Sequence, residues 1–560
     1  MAALALQPVA GSAQDVRIKA FPIVKTELYH DVSPTLRSVA GHKAKSILKP
    51  DANGIVEIGP DDENGEREHR PAGDGPFHPD GALQSKLPHG DAERAGGANF
   101  EGLSNQDNFN VLGFRVNPPD PVGAVGPNHY VQMVNVTMAV YDKTGTQLMP
   151  ATALGALWDG FAVGDCSLNA GDAIVLYDRY NDRWILSQFT TAETDGSYYN
   201  CVAVSKTGDP TGAYYRYAFT TAQNFPDYPK YGIWNGTYVI TTREFGDDGS
   251  YGIGVYALEA AKMLKGKANA RVVAFFLDGD DPGVLPLIGD GLLPAYADGE
   301  TAPKAKAPIP LVGTQDNGGG YGATSDALNI FELAVNWKDT STASLDLKKQ
   351  LPVASFDSIY PCGGDGRDCL PQPGVGSTAF LDILSYRQRP TWRLAYRVFD
   401  KYETMVTNQS VEASASHAGV RWYEIRRKHG DYSLFQQGTY APDDGIHRWM
   451  GSAAMDHKGN IALGFSVVNG TTQKPSVRYT GRKKSDPLGQ MSIAETQLIT
   501  GDGVQTSTNS RWGDYTSLNM DPVDDCTFWY TNEYYTQAGQ TGSPVGWQTR
   551  IASFKLPKCH

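Results

Sequence analysis

One hairpin pattern recurs along this chain and limits the folds that it can adopt. Its clearest copy spans residues 510–535, with a strand predicted over 515–520, a turn at 521–525 and a second strand over 526–535. Asp-Pro in the turn, with β-branched and aromatic residues on both sides, is typical of a β-hairpin. Further strong copies begin at Asp120, Asp172, Asp227 and Arg448, and weaker copies lie in 308–335 and 377–397. The sequence therefore predicts a repeat built from β-strands.

The number and spacing of these copies predict the architecture. Strong and weak copies make about seven units, spaced roughly 45 to 75 residues apart, and the shorter spacing is typical of four-stranded propeller blades. One blade cannot bury both faces of its sheet, so blades pack around a common axis. The 61 Gly, 34 Pro and 29 Tyr residues suit many short strands joined by turns. We predict an all-β fold, a β-propeller of seven four-stranded blades, with a β-sandwich as the alternative.

Composition divides the chain into three regions. Residues 1–14 contain small residues that suit a cleavage site, so we interpret them as a signal-peptide remnant, with a flexible terminus as the alternative. Residues 15–97 are polar, with a charge run at 61–70, and predict a pro-segment or a poorly ordered or extended arm. Residues 98–560 form the predicted propeller. Within them, the Gly-, Pro- and Asp-rich stretch 278–310 predicts a long loop.

Charge, hydropathy and cysteine content restrict the class of protein. The net charge of −13 argues against nucleic-acid binding, which requires a basic face. No apolar stretch reaches the roughly 18 residues of a membrane span. The six cysteines fall into pairs that are close in sequence, which predicts disulfides although other pairings stay open: Cys166 with Cys201, Cys362 with Cys369, and Cys526 with Cys559. Disulfides require an oxidising compartment, so we expect a secreted protein, extracellular or periplasmic, of unknown oligomeric state.

Four aspartates hold similar positions in the copies. Asp120, Asp172, Asp227 and Asp514 stand before the turns of their units, and His447 is near the matching place in the fifth strong copy. In a propeller these positions lie where the innermost strands begin, so we expect the side chains to surround one axial opening. Three roles are open: pinning turns, binding a cation such as Ca²⁺, for which we select Asp120 and Asp172, or catalysis. For catalysis we select Asp514, Asp227 and His447.

Cationic and aromatic residues accompany the aspartates. Arg448-Trp449 and Arg511-Trp512 form a repeated pair, in which Arg suits carboxylates and Trp offers a flat face to a sugar ring. An Arg–Asp or cation–π contact between blades is the structural alternative. The predicted substrate-binding residues are Lys230, Tyr228, Arg448, Trp449, Arg511, Trp512 and Tyr515.

Several phrases give the chain a resemblance to known proteins. It resembles a loose group of secreted bacterial β-propeller proteins through residues 125–134 and through the phrases that begin at Arg448, Arg511 and Cys526: Arg-Trp-Met-Gly, Arg-Trp-Gly-Asp-Tyr and Cys-Thr-Phe-Trp-Tyr. The likeness covers residues 98–556 and implies the fold and secretion, without a particular reaction. The chain is also distantly similar to sialidase-type propellers. It lacks their repeated Ser-x-Asp-x-Gly-x-Thr-Trp box and a placeable arginine triad, so sialidase activity is not expected.

These observations together give a functional hypothesis. We expect a propeller whose axial funnel binds an extracellular polymer, a glycan before other polymers, and we extend this to cleavage by hydrolase or lyase chemistry. The alternative is a non-catalytic binding, matrix or surface-assembly module whose aspartates are structural. We also predict that a Cys526–Cys559 disulfide ties down the C-terminal strand. Residues 100–114 are expected to pair with the last unit and close the ring.

Overall fold

The computed structural model describes residues 20, 22–42, 48–58, 78–90, 96–191, 196–359, 368–383, 387–509 and 511–559. This part of the chain is all-β, with short helices between the strands. The predicted signal remnant, the charge run at 61–70 and Cys362 lie outside the described residues. Within them, no helix is long and apolar enough to cross a membrane.

Within the described ranges, 28 of the 35 strands can be grouped into seven four-stranded antiparallel units, which we number in chain order, and units 4 and 5 belong to one larger sheet. Units 1 and 2 are Val122–Val125, His129–Val134, Thr137–Asp142, Gln147–Ala153; and Ile174–Asp178, Arg183–Phe189, Tyr198–Ser205, Tyr214–Ala222. Units 3 and 4 are Asn224–Trp234, Thr237–Gly246, Tyr251–Glu259, Arg271–Asp278; and Leu293–Ala297, Ile309–Gln315, Ala327–Ala334, Ser344–Pro352. Units 5 and 6 are Thr391–Phe399, Tyr402–Ser414, His417–Lys428, Asp431–Tyr440; and His447–Met455, Ile461–Val468, Ser476–Arg482, Ile493–Ile499. Unit 7 is Ser517–Met520, Thr527–Tyr535, Trp547–Lys555 and Asn99–Ser104.

The first strands of these units form a ring. Each contacts the first strand of the next unit in chain order, and that of unit 7 contacts that of unit 1. In units 4 and 5 the two first strands also pair in parallel, with Ala295 opposite Leu394. We call the end of the ring where the first strands begin the entrance end, and the opposite end the exit end.

Both termini of the repeat region contribute to unit 7. Asn99–Ser104 pairs antiparallel with Trp547–Lys555 and is the outer strand of this sheet. This confirms the predicted closure for residues 100–104, while Asn105–Leu112, which was included in the prediction, forms a helix. The Cys526–Cys559 disulfide joins the first turn of unit 7 to the chain after its third strand, and Cys166–Cys201 is also formed. These two predicted disulfides are therefore confirmed.

The described segments before residue 98 lie against the units. Ile23–Thr26 and Tyr29–Val32 add edge strands to units 3 and 2. Leu83–Gln84 pairs in parallel with the last strand of unit 5, and Ile55–Glu57 with Arg115–Asn117. The remaining elements are the helices Leu36–Val39, Asn105–Leu112, Ala260–Met263, Leu285–Ile288 and Gln537–Gly542, the 3-10 turns Leu154–Trp158, Gly164–Ser167, Thr340–Thr342 and Ser377–Ala379, and the paired strands Asp368–Leu370 and Leu381–Asp382.

The stretch 278–310, predicted as a loop, contains the first strand of unit 4. Leu293–Ala297 is buried throughout and pairs with Ile309–Gln315 on one side and Thr391–Phe399 on the other. The loop prediction was therefore wrong at 293–297. The strand is only five residues long, contains Pro294 and has no alternation of apolar and polar residues, because both of its faces are buried.

Candidate active site at the entrance end

The backbone at the entrance end carries a repeated strained position. In four units, the residue that stands two positions before the start of regular pairing in the first strand has a positive φ. These residues are Asp120 (46°), Asp172 (43°), Tyr228 (52°) and Met450 (46°). This conformation is unfavourable for residues with a Cβ, and asparagine and aspartate tolerate it best. By the same register, Asp227 and Asp514 stand one residue earlier, so the four aspartates hold similar but not identical positions. The structural counterparts of Asp120 and Asp172 are Tyr228 and Tyr515.

Asp120 and Asp514 nevertheless meet at this end. The backbone N–H of Asp514 donates to Asp120 Oδ1 at 2.7 Å, and Asn135 Nδ2 donates to Asp120 Oδ2 at 2.9 Å. Arg511 Nη2 lies 3.5 Å from Asp514 Oδ2, while Asp514 Oδ1 is buried without a hydrogen-bond partner among the described residues. Burial, and next the negative charge of Asp514, raise the pKa of Asp120 to about 7. Asp120 is therefore protonated in mildly acidic solution, beside a carboxylate that is paired with a guanidinium.

Lys230 lies between two tyrosine rings of the same cluster. Its Nζ is 2.9 Å from the ring centroid of Tyr228 and 3.7 Å from that of Tyr515, and it has no hydrogen-bond partner in the described structure. Burial, and next the positive charge of Arg389, lower the pKa of Lys230 well below its ordinary value. Tyr515 Oη donates to Asp172 Oδ2 at 3.0 Å. Burial, and next the charge of Asp120, raise the pKa of Asp172 well above its usual range.

Three further charged residues complete the cluster, Arg243, Asp290 and Arg389, and none of them is among the predicted site residues. Arg243 bridges Asp227 at 3.1 Å and Asp290 at 2.9 Å. Arg389 lies 3.4 Å from Asp290, and its Cζ lies 3.8 Å from the ring centroid of Tyr228. Asp290 and Arg389 precede the first strands of units 4 and 5, where the repeat was weakest in sequence. Their position just before those strands was the signal that could have identified them.

Four predicted site residues lie in other surroundings. Arg448 is buried and forms ion pairs with Asp444 at 2.7 Å and Glu495 at 2.8 Å. His447 packs at 5.5 Å from the His417 ring, and burial lowers the pKa of His447 to about 4. Trp449 and Trp512 are buried, with their ring centroids 5.1 Å apart, and both belong to one hydrophobic cluster. Neither tryptophan therefore offers a free face to a sugar. The contacts of Arg448 with Asp444 and Glu495, and that of His447 with His417, do not involve the aspartate cluster.

The aspartates do not fit a Ca²⁺ site. Calcium prefers about six to eight oxygen ligands that point at the ion. Both oxygens of Asp120 accept hydrogen bonds from the protein, and Asp172 accepts one from Tyr515. Among the described residues, the group compact enough for a metal ion is His457, Cys526 and Cys559, whose two cysteines form a disulfide, and not the aspartates.

The N-terminal segment 51–58 lies over the edge of the cluster. Arg511 Nη1 donates to the carbonyl oxygen of Ile58 at 3.4 Å. A Cβ added to Gly171, the neighbour of Asp172, would lie 2.5 Å from Ile58 Cγ2. The aspartates are at most 8% exposed. A cavity of about 10 Å³ beside Tyr228, Lys230 and Arg243 has room for about one water. Ile58 and its neighbours therefore restrict access to the cluster.

Comparisons with known proteins give distant structural similarities. No protein-family model and no curated protein sequence matches the chain. An α-L-arabinofuranosidase from Fusarium graminearum is similar with 10% identity and a TM-score of 0.32, over 69% of this chain and 94% of that one. An α-L-arabinanase from Penicillium chrysogenum has 12% identity and a TM-score of 0.32, over 70% and 96%. A sialidase from Trypanosoma rangeli has 11% identity and a TM-score of 0.32, over 68% and 54%. At these values the similarities identify neither a family nor an activity.

Proposed function

We propose that this chain is a secreted seven-bladed β-propeller that binds an extracellular glycan at the entrance end and hydrolyses it there. The ring of first strands supports the blade count, and the two disulfides support secretion. The observation that carries the catalytic part is the Asp120–Asp514 pair. One carboxyl is kept protonated by burial while the other lies against Arg511. A buried, protonated carboxyl group next to a second carboxyl group that contacts a guanidinium is an arrangement suited to acid–base catalysis.

The pair can divide the two tasks of glycoside hydrolysis. Asp120, protonated near neutral pH, would donate its proton to the leaving glycosidic oxygen. Asp514 would act on the anomeric carbon or on the attacking water, because its Oδ1 has no hydrogen-bond partner among the described residues. Arg511 would hold the carboxylate of an acidic sugar. Substrate access requires Ile58 to move away from Arg511.

A polysaccharide panel tests this proposal. Purified protein would be incubated with neutral and uronate-containing polysaccharides, and new reducing ends and unsaturated products would be measured. We expect new reducing ends from at least one acidic glycan, and a loss of about 10²–10⁴-fold in turnover for Asp514→Asn, with glycan affinity and melting temperature retained. If unsaturated products form and no hydrolysis is detected, the reaction is a lyase reaction and not hydrolysis.

A matched control separates catalysis from folding. Asp456 is also a buried turn aspartate, and its Oδ1 accepts backbone N–H bonds from Lys458 and Asn460. Asp456→Asn should lower the melting temperature and leave turnover per folded molecule unchanged. If Asp514→Asn behaves like Asp456→Asn, the proposal is wrong.

One observation favours a second candidate function, a non-catalytic glycan-binding or assembly module. Both oxygens of Asp120 accept protein hydrogen bonds, as expected for a residue that pins the junction between units 1 and 7. In that case the protein would bind a glycan without cleaving it. Asp120→Asn would then lower the stability of the protein, and neither the wild type nor the variant would show turnover.

A further inference from the structure

A large groove lies on the exit end, away from the aspartate cluster. Its volume is about 740 Å³, within the range of ligand-binding sites. The walls are the loop of unit 4 around Lys304, the first turn of unit 5 at 399–402 and the last turn of unit 5 at 428–430. We call this feature the basic groove.

The charge of the basic groove is opposite to that of the whole protein. Lys304, Lys401 and Lys428 line it, and all three are exposed. None of them forms a salt bridge within the described residues, while the other lining cation, Arg427, pairs with Glu403 at 3.2 Å. Asp400 is the remaining acidic lining residue. The groove therefore keeps an excess of positive charge on a chain whose net charge is −13.

The floor of the groove is held in place by aromatic contacts. The rings of Phe399 and Tyr402 stack with centroids 5.2 Å apart. Arg426 Cζ lies 4.2 Å from the Tyr402 centroid, and Lys484 Nζ lies 5.3 Å from the Phe399 centroid. Cations against aromatic faces stabilise such an arrangement. Arg426 is also paired with Glu424 at 2.7 Å, so the positive charge of the groove comes from its exposed lysines.

We propose that the basic groove binds an anionic oligosaccharide through its carboxylate or sulfate groups. Three unpaired ammonium groups can each donate hydrogen bonds to an anionic oxygen, and such charge-assisted bonds are the stronger ones. None of the exposed large hydrophobic residues lines the groove, so it does not suit a lipid surface. A long nucleic acid would be repelled by the net charge of −13, whereas a short anionic chain meets the local positive charge. This site is separate from the proposed catalytic cluster and does not depend on hydrolysis.

Calorimetric titration of the full chain tests the proposal. The probes are trigalacturonate for carboxylates, a sulfated maltotriose for sulfates, neutral maltotriose, and a single-stranded oligonucleotide. The double variant Lys401→Glu/Lys428→Glu is compared with Lys265→Glu/Lys267→Glu. This control makes the same charge change at two exposed lysines outside the groove. All titrations use the Asp514→Asn background, so that cleavage does not disturb them. They are fitted with two sites, because the entrance end keeps its affinity for acidic sugars in this variant, and the groove is the site that the double variant Lys401→Glu/Lys428→Glu weakens.

We expect one or both anionic sugars to bind and the neutral sugar not to bind. The groove variant should weaken binding at least 10-fold, the control variant less than 2-fold, and added salt should weaken binding further. Which anionic probe binds assigns carboxylate or sulfate as the recognised group. Equal weakening in both double variants, equal binding of maltotriose, tighter binding of the oligonucleotide, or no binding of either anionic sugar would each overturn the proposal.

Discussion

The two ends of the ring bury charged residues in different ways. At the exit end, Arg397 binds both oxygens of Asp525, at 2.9 and 2.7 Å, and Arg179 donates to the same carboxylate at 3.0 Å. Arg393 pairs with Asp298 nearby. At the entrance end, Asp120 and Asp172 accept from neutral donors, and Lys230 Nζ has no hydrogen-bond partner among the described residues.

This difference shows that partners decide what burial does to an aspartate. Burial raises the pKa of Asp525, but hydrogen bonds and charge from Arg397 outweigh it, so the pKa of Asp525 is lowered. Burial of Asp120 acts together with the charge of Asp514, and its pKa rises to about 7. Asp525 at the exit end is therefore ionised within a matched ion pair. Asp120 at the entrance end can exchange a proton near neutral pH, although Asp227 and Asp290 in the same cluster are paired with Arg243.

The largest expected effect compares the same substitution at both ends. Asp525→Asn leaves two buried guanidinium groups without their carboxylate and should cost about 3–5 kcal/mol of unfolding free energy. Asp120→Asn replaces a group that is already neutral below pH 6 and should cost about 1 kcal/mol at pH 5.5. Asparagine tolerates the positive φ at both positions. Urea unfolding of both variants measures the two costs. Equal costs would show that the two ends do not differ.

The pH dependence of stability sharpens the comparison. The folded pKa of Asp120 is above the unfolded value of 3.8, so the folded state holds more protons between pH 4 and 7. Its contribution is therefore full below about pH 4 and is lost as pH rises to 7, by at most about 1.4 kcal/mol per pH unit. The lowered pKa of Asp525 has the opposite sign, and its contribution is lost as pH falls below the unfolded value. Asp120→Asn should flatten the slope between pH 4 and 7. If the slope of stability against pH is unchanged, Asp120 is not the group whose pKa is raised.

The smallest expected effect concerns access to the entrance end. Ile58→Gly removes the side chain that packs against Gly171 and should increase turnover about 2- to 5-fold, because it loosens the segment bound to Arg511. Leu36→Ala, in another part of the N-terminal arm, is the control and should change stability but not turnover. Steady-state rates on the substrate found in the panel measure both. Equal rates for Ile58→Gly and the wild type would show that this segment does not limit access.

Part of this architecture was predictable from local sequence. The hairpins of units 1, 2, 3, 6 and 7 are rich in β-branched and aromatic residues around Asp or Gly turns. These preferences operate within a few residues of sequence, so they are visible without the folded structure. Pairing of Asn99–Ser104 with unit 7 followed from the need to cover a sheet edge. Two disulfides followed from cysteines close in sequence. Asp120 and Asp514 were correctly expected to lie at the same end, since both precede a first strand.

The remaining features depend on tertiary contacts that no local pattern encodes. The positive φ values at Asp120, Asp172, Tyr228 and Met450 and the bulge after Asp227 are backbone features that the sequence does not show. Arg389 and Asp290 join the cluster through units whose repeats are weak. Trp449 and Trp512 resemble ligand platforms in sequence, but packing buries them against each other. In the sequence, a tryptophan at the surface and a tryptophan in the core look the same, because the contacts with neighbouring units that distinguish them form only in the folded protein.

Infrared difference spectroscopy tests the central claim, that Asp120 at the entrance end and Asp525 at the exit end are held in opposite protonation states. Wild-type protein would be compared with Asp120→Asn and with Asp525→Asn at pH 5.5, in the carbonyl region of protonated carboxylic acids and in the stretching region of carboxylates. We expect a protonated-acid band to disappear in Asp120→Asn and a carboxylate band to disappear in Asp525→Asn. The band assigned to Asp120 should titrate with a midpoint of about 7. Loss of a carboxylate band in both variants, or a midpoint for Asp120 near 3.8, would contradict it.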